Sequence, residues 1–256
     1  LFLNFKFLRK HNIIVLHDAW SSGYFHWIAD VLPKLYLLRN ELGSWEVILP
    51  KKLNHFQEES LQLFNLKNTK SLESWQVGIC PQLHLMKLPW QSGFFDNEVY
   101  NSMSKWIIHE TLKLHPDTIQ KNMKECIFVS RQNALSRRIL NYVDLVPVLN
   151  EFKFFTPDIS CMGFFDQVTL FSKARVIAGA HGAGLVNMMF MPAGSIVIEF
   201  RNSYPVGNNT YERLAKKFKH RYFPIVSENS NYNDNFQDED IFVPVRKFTE
   251  IFISIF

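Results

Sequence analysis

Cysteine is scarce in this 256-residue chain. Cys80, Cys126 and Cys161 are an odd number at wide spacing, with no Cys-x-x-Cys pair. That excludes a disulfide framework and a zinc ribbon, and predicts reduced, buried thiols in a cytoplasmic protein. No run of about 18 apolar residues is present, so no membrane-spanning helix is expected. A signal-peptide pattern is also missing, and Asn208-Asn209-Thr210 is therefore read as an unmodified sequon. The chain begins at Leu1 and enters apolar sequence at once, which raises the expectation that an N-terminal segment precedes it. Charge is nearly balanced, 28 basic against 24 acidic side chains, for a net +4. That bias implies no nucleic-acid partner but suits anionic ligands or the inner membrane surface. His-Glu-x-x-His and paired-His spacings are absent, as are internal repeats and low-complexity tracts. Phenylalanine, by contrast, is abundant at 24 residues, and hydrophobic content reaches 47%. The composition predicts a globular protein with an aromatic interior.

Strand and helix patterns alternate along the chain. Ile13–Leu16, Val47–Leu49 and Leu83–Leu88 read as strands, with helices expected at Phe25–Leu42, Phe56–Phe64 and Glu98–Leu114. A second series follows a linker expected at 115–124. Strands are expected at Cys126–Ser130, Phe154–Pro157, Arg175–Ala178, Ser195–Phe200 and Arg221–Pro224. Helices are expected at Tyr142–Phe152, Phe164–Ser172, Leu185–Phe190, Tyr211–Lys219 and Val245–Ile255. Such alternation predicts an α/β protein of two doubly wound Rossmann-like halves facing a cleft. The expected division is 1–118, 119–240 and a closing helix at 241–256.

The most informative run is Gly179-Ala180-His181-Gly182-Ala183-Gly184-Leu185-Val186-Asn187, which reads as a strand end, a glycine-rich turn and a helix start. Three glycines within six residues allow a tight turn and close approach of backbone to a ligand. Amides at a helix start favour an anion such as a diphosphate, to which His181 can donate a hydrogen bond. No Lys-Ser/Thr follows, so this is not a Walker loop, and the spacing is not the dinucleotide fingerprint. A purely structural turn is the alternative. Glu199 closes the next strand, where a carboxylate can accept from ribose hydroxyls or serve as a capping residue.

Arg131, Arg137 and Arg138 follow the strand that begins at Cys126. Planar guanidinium forks suit diphosphate oxygens, although a solvated basic loop gives the same pattern. His26 and Asp30 stand four apart, on one helical face, so they can form a hydrogen-bonded general base or merely tie the helix down. Tyr24 and Trp27 beside them could stack on an acceptor sugar. Asp238-Glu239-Asp240 is read as a solvated loop, not a metal site.

Three blocks together resemble glycosyltransferase family 61, bacterial capsular polysaccharide biosynthesis-type members included. They are Tyr24-Phe25-His26-Trp27 with Asp30, Leu32 and Pro33; Ser130-Arg131 with Ser136-Arg137-Arg138; and the stretch from Phe165 to Phe200. The resemblance implies a GT-B architecture with metal-independent, inverting transfer from a nucleotide diphosphate sugar, and no cofactor beyond that donor. The acceptor would be a hydroxyl of a glycan or lipid-linked glycan of capsule, exopolysaccharide or lipopolysaccharide type, reached in the cytoplasm or at the inner face of the membrane. Arg131, Arg137 or Arg138, Gly179, His181 through Leu185 and Asn187 would hold the donor diphosphate, and Glu199 the nucleoside. His26 and Asp30 would face the acceptor. A non-catalytic nucleotide-sugar or glycan binding protein and a nucleotide-sugar epimerase are the rival readings of the same scaffold.

Overall fold

The computed structural model describes residues 4–8, 12–72, 76–116, 125–202, 209–227 and 239–255. The first half runs β1 (Asn4–Phe7), β2 (Ile13–Val15), α1 (Tyr24–His26), α2 (Leu32–Leu38), β3 (Glu46–Pro50), α3 (His55–Leu61), β4 (Asn68–Leu72), β5 (Gln76–Ile79), β6 (Leu83–Leu85) and α4 (Asn97–Leu114). The second half runs β7 (Cys126–Val129), α5 (Tyr142–Glu151), α6 (Phe164–Phe171), β8 (Val176–Ala180), β9 (Ile196–Arg201), α7 (Thr210–Lys217), β10 (Arg221–Val226) and α8 (Val245–Ile255). Most of the expected linker, the first residue of the sequon and nearly all of the acidic run before Asp240 lie outside the described residues.

Two four-stranded sheets carry the fold, in the orders β4-β3-β2-β6 and β10-β9-β8-β7. Every pairing in them is parallel, so each connection must cross over; helices supply most of the crossovers, while β4 reaches β6 by way of β5. The strand expected at Phe154–Pro157 reduces to one parallel bridge, Phe155 to Ile127, on the outer side of β7. Counting that bridge, the second sheet is ordered Phe155, β7, β8, β9, β10. Chain direction across the sheet therefore reverses between β7 and β8, the position at which open α/β sheets leave a crevice beyond their strand ends.

Side chains of the second sheet alternate between two cores. Phe128, Val176, Ala178, Ile198 and Phe200 pack with Leu145 and Leu149 of α5 and Phe248 and Phe252 of α8. Ile127, Val129, Ile177 and Val197 face the other way. They join a cluster that also holds Ile14, Trp27, Leu32, Val47 and Tyr100 from the first half. The two halves thus share one core. Polar ties cross it as well: Ser104 Oγ donates to the Met189 carbonyl at 2.6 Å, and the Glu59 carboxylate accepts from the Phe164 and Phe165 amides at the start of α6.

The helix expected at Phe25–Leu42 is interrupted. Between α1 and α2, Trp27–Val31 forms a π-helical turn, closed by the Leu32 amide donating to the Trp27 carbonyl. Pro33 accounts for it, because a proline in this register has no N–H for the Ala29 carbonyl four residues back. The Tyr100 hydroxyl donates to that carbonyl instead, at 2.6 Å.

Candidate active site

Two adjoining cavities open at the β7–β8 reversal. The larger, about 930 Å³, is lined by Ser130, Arg131 and their loop, by Thr156–Met162, by Gly182–Gly184, and by Asn54–Phe56 from the first half. The smaller, about 300 Å³, is lined by His26, Phe25, Arg137, His181 and Tyr211. Tyr24 and Ala183 belong to both, so the two form one site with a shared wall.

The glycine turn shapes the larger cavity at two positions. A Cβ on Gly179 would fall 2.7 Å from the Val129 carbonyl oxygen, so this glycine lets β7 and β8 approach and lies within the sheet, not against a ligand. At Gly182 the Arg131 guanidinium occupies the space a side chain would need, which brings the cation directly over the turn. Arg131 Nη2 also donates to the Ser136 carbonyl at 3.2 Å, holding its loop. Arg137 adopts a left-handed φ of 58°, uncommon for a residue with a side chain. That kink separates neighbours. Arg137 lines the smaller cavity, whereas Arg138 pairs with Asp240 at 2.7 Å and borders neither cavity. The hydrogen bond from the Arg138 guanidinium, together with its charge, holds the Asp240 carboxyl below the usual carboxylate range.

Other expected residues take structural positions. Trp27 is fully buried and its indole N–H donates to Ser60 Oγ at 2.8 Å, so it has no face for an acceptor sugar. Leu185 is buried in the shared core. Asn187 is also buried. Its amide donates to Gln167 Oε1 and the Gly184 carbonyl, while its oxygen accepts from Tyr24 at 2.7 Å. It braces the turn from behind. The segment after Gly182 is a 3-10 helix, Ala183–Phe190. Of the three thiols Cys161 is exposed, against the expectation of burial, and it lines the larger cavity.

Glu199 differs most from its expected role. Its carboxylate is buried, 2% exposed, and accepts from the Tyr222 hydroxyl on one oxygen while the other meets His181 Nδ1. Burial and then the Glu199 charge push the Tyr222 phenol up. Both carboxylate oxygens are thus engaged within the fold.

His26 and Asp30 do meet. Nδ1 lies 2.8 Å from Asp30 Oδ2, which also accepts from Ser92 Oγ at 2.8 Å. A carboxylate can only accept, so Nδ1 carries the proton and Nε2 keeps its lone pair. The hydrogen bond to Asp30 outweighs partial burial and raises the His26 pKa above its ordinary value. A half-exposed imidazole backed by a carboxylate and bordering a cavity can take a proton from a hydroxyl.

Sequence reasoning missed the Thr156–Met162 wall and Tyr222. Asp158 folds that wall by accepting from the Ser160 amide at 3.1 Å and from Asn133 at 3.4 Å, a polar turn with no motif. Tyr222 is met only through the sheet, since β10 pairs with β9.

Two proteins similar to this chain are named as N-acetylglucosamine transferases. A stretch of 110 residues is 27% identical to the EGF domain-specific O-linked N-acetylglucosamine transferase of Xenopus laevis, covering 41% of this chain and 20% of that protein. Another of 95 residues is 34% identical to protein O-linked-mannose beta-1,4-N-acetylglucosaminyltransferase 2 of the same species, covering 36% and 16%. The aligned part thus spans a fifth or less of either relative. The family model described as Glycosyltransferase 61 matches residues 24–198, a span that includes His26, Arg131, Arg137 and His181. The chain belongs to glycosyltransferase family 61.

Proposed function

We propose that this chain is an inverting glycosyltransferase that needs no metal, and that its two sheets act as the halves of a GT-B arrangement. The donor's nucleoside occupies the 930 Å³ cavity and its diphosphate lies along Arg131 and Gly182–Gly184. The transferred sugar enters the smaller cavity between Arg137 and His181 on one side and His26 on the other. The observation that carries this reading is the meeting of His26, contributed by the first half, with Arg137 and His181 of the second in one small pocket.

His26 Nε2 takes the proton of the acceptor hydroxyl. The oxygen then bonds to the anomeric carbon from the side opposite the diphosphate, and the carbon–oxygen bond to phosphate breaks with its electron pair staying on phosphate. Arg131 and Arg137 offset the charge that develops there, as preorganised donors do best. The names of the two relatives favour an N-acetylhexosamine as the sugar. For the acceptor we favour a growing surface glycan at the inner face of the membrane, with a protein or a protein-linked sugar as the second reading, because one relative's name gives protein O-linked mannose and the other's an EGF domain as what is modified.

The test is release of nucleotide diphosphate from a panel of UDP-, GDP-, CDP- and dTDP-sugars, with and without glycan acceptors and in the presence of EDTA. Acceptor-dependent release that survives EDTA supports the reading. Interconversion of free donors, or binding without release, contradicts it.

A further inference from the structure

We propose that Glu199 acts on the reaction through His181: it is a positioning residue for that imidazole, clamped in turn by Tyr222, and not a ribose-binding group. The inference rests on the transferase reading above. Strand register sets the arrangement. Glu199 is paired with Gly179 of β8 and Pro224 of β10, so His181 and Tyr222 stand diagonally to either side on the same sheet face. The His181 amide donates to the Phe200 carbonyl at 2.8 Å, which fixes its backbone beside Glu199. The side chain then has one carboxylate oxygen at Nδ1, while Tyr222 occupies the other.

Both ends of this chain of bonds are informative. Glu199 is 2% exposed and borders neither cavity, whereas His181 is 11% exposed and lines the smaller one. Tyr211 packs edge-on against the imidazole at 5.0 Å, limiting its rotation. A carboxylate at Nδ1 selects the Nδ1–H tautomer, so the chemistry that the ring offers the pocket is that of Nε2. The groups facing this unit are Arg137, His26 and Asp30 across the pocket, with Arg201 and Glu212 near Tyr222. The site therefore holds two carboxylate–histidine pairs, one from each half, whose imidazoles both line the smaller cavity. His26 serves the acceptor hydroxyl and His181 the sugar–diphosphate end of the donor.

Three substitutions, singly and in two double variants, test this through kcat, nucleotide affinity, the His181 tautomer and thermal stability. Glu199→Gln is expected to lower kcat about a hundredfold, the usual scale for a misplaced acid–base group, with affinity for UMP or GMP, whichever the wild type binds, unchanged by calorimetry. His181→Asn should lose a similar factor, and the double variant should be no slower than His181→Asn alone, because residues acting as a unit are non-additive. Tyr222→Phe, the mildest change, should give a smaller loss that also vanishes in the His181→Asn background. Nitrogen NMR of the wild type should find His181 as the Nδ1–H tautomer, a reading that needs no turnover. Loss of monophosphate affinity in Glu199→Gln would restore the ribose role and overturn the proposal. Multiplicative losses, an Nε2–H tautomer, or lowered thermal stability with unchanged kcat would also overturn it. Failure of every donor to turn over, with the tautomer as expected, would instead count against the transferase reading.

Discussion

At the scale of single residues, the site depends on how a few side chains are held. His26 must be neutral to accept a proton, and Asp30 raises its pKa above 6.5. Activity is therefore lost as pH falls through that raised value. Asp30→Asn removes the anionic partner, so the acidic limb of kcat/KM should move to lower pH, while His26→Ala should lower kcat by roughly a hundred- to ten-thousandfold. An acidic limb unmoved in Asp30→Asn would dissociate the pair from catalysis. The same shift has a stability sign. The pair's contribution is complete below about pH 6.5, the unfolded value, and fades as pH rises through the folded one, so the Tm gap between wild type and Asp30→Asn should narrow with rising pH. Cysteine supplies an independent probe of the larger cavity. Cys161 is exposed there, whereas burial pushes the Cys126 thiol up to about 11. Iodoacetamide should label Cys161 faster than Cys126, and bound nucleotide should protect it; equal labelling with or without nucleotide would argue against nucleotide binding in that cavity.

At the scale of elements, the interrupted helix is the clearest case of one residue reshaping its surroundings. Pro33 leaves the Ala29 carbonyl without its helical donor and Tyr100 replaces it. Tyr100→Phe should cost about 1–3 kcal/mol in chemical denaturation, the scale for stranding a buried acceptor. Much of that cost should disappear in a Pro33→Ala background, where the N–H returns. Full additivity of the two changes would show that the proline is not the cause of the π turn. The sequence made this helix legible through its apolar spacing, but not the interruption, since Tyr100 lies 71 positions away. Buried strands such as Val176–Ala180 and Ile196–Arg201 were legible for a similar reason, being short continuous apolar runs. β4, with the sequence Asn-Thr-Lys-Ser-Leu, was not, because an edge strand with solvent on one side carries little apolar signal.

At the scale of the whole molecule, the two halves share a core and a site. Trp27 and Phe164, one from each half, lie fully buried in the same cluster. Each substitution by alanine should cost about 3–5 kcal/mol, and both should shift a single calorimetric transition; two separable transitions would show that the halves fold independently. Three blocks singled out in the sequence, the turn at 179–184, the arginine loop and the helix at 24–27, each contribute residues that line the two cavities. The sequence could not distinguish Arg137 from Arg138, which diverge at one left-handed residue, nor Glu199 as a ligand from Glu199 as a brace. Those distinctions depend on which way a side chain turns. The account stands on the claim that His26 from one half does chemistry on a donor held by the other. The direct measurement is a comparison of donor binding and turnover in His26→Ala and Arg131→Ala, by calorimetry with nucleotide diphosphate and by acceptor-dependent release of that nucleotide. The account predicts unchanged nucleotide affinity with turnover lost in His26→Ala, and weakened affinity in Arg131→Ala. Wild-type turnover in His26→Ala, or unaltered affinity in Arg131→Ala, would contradict it.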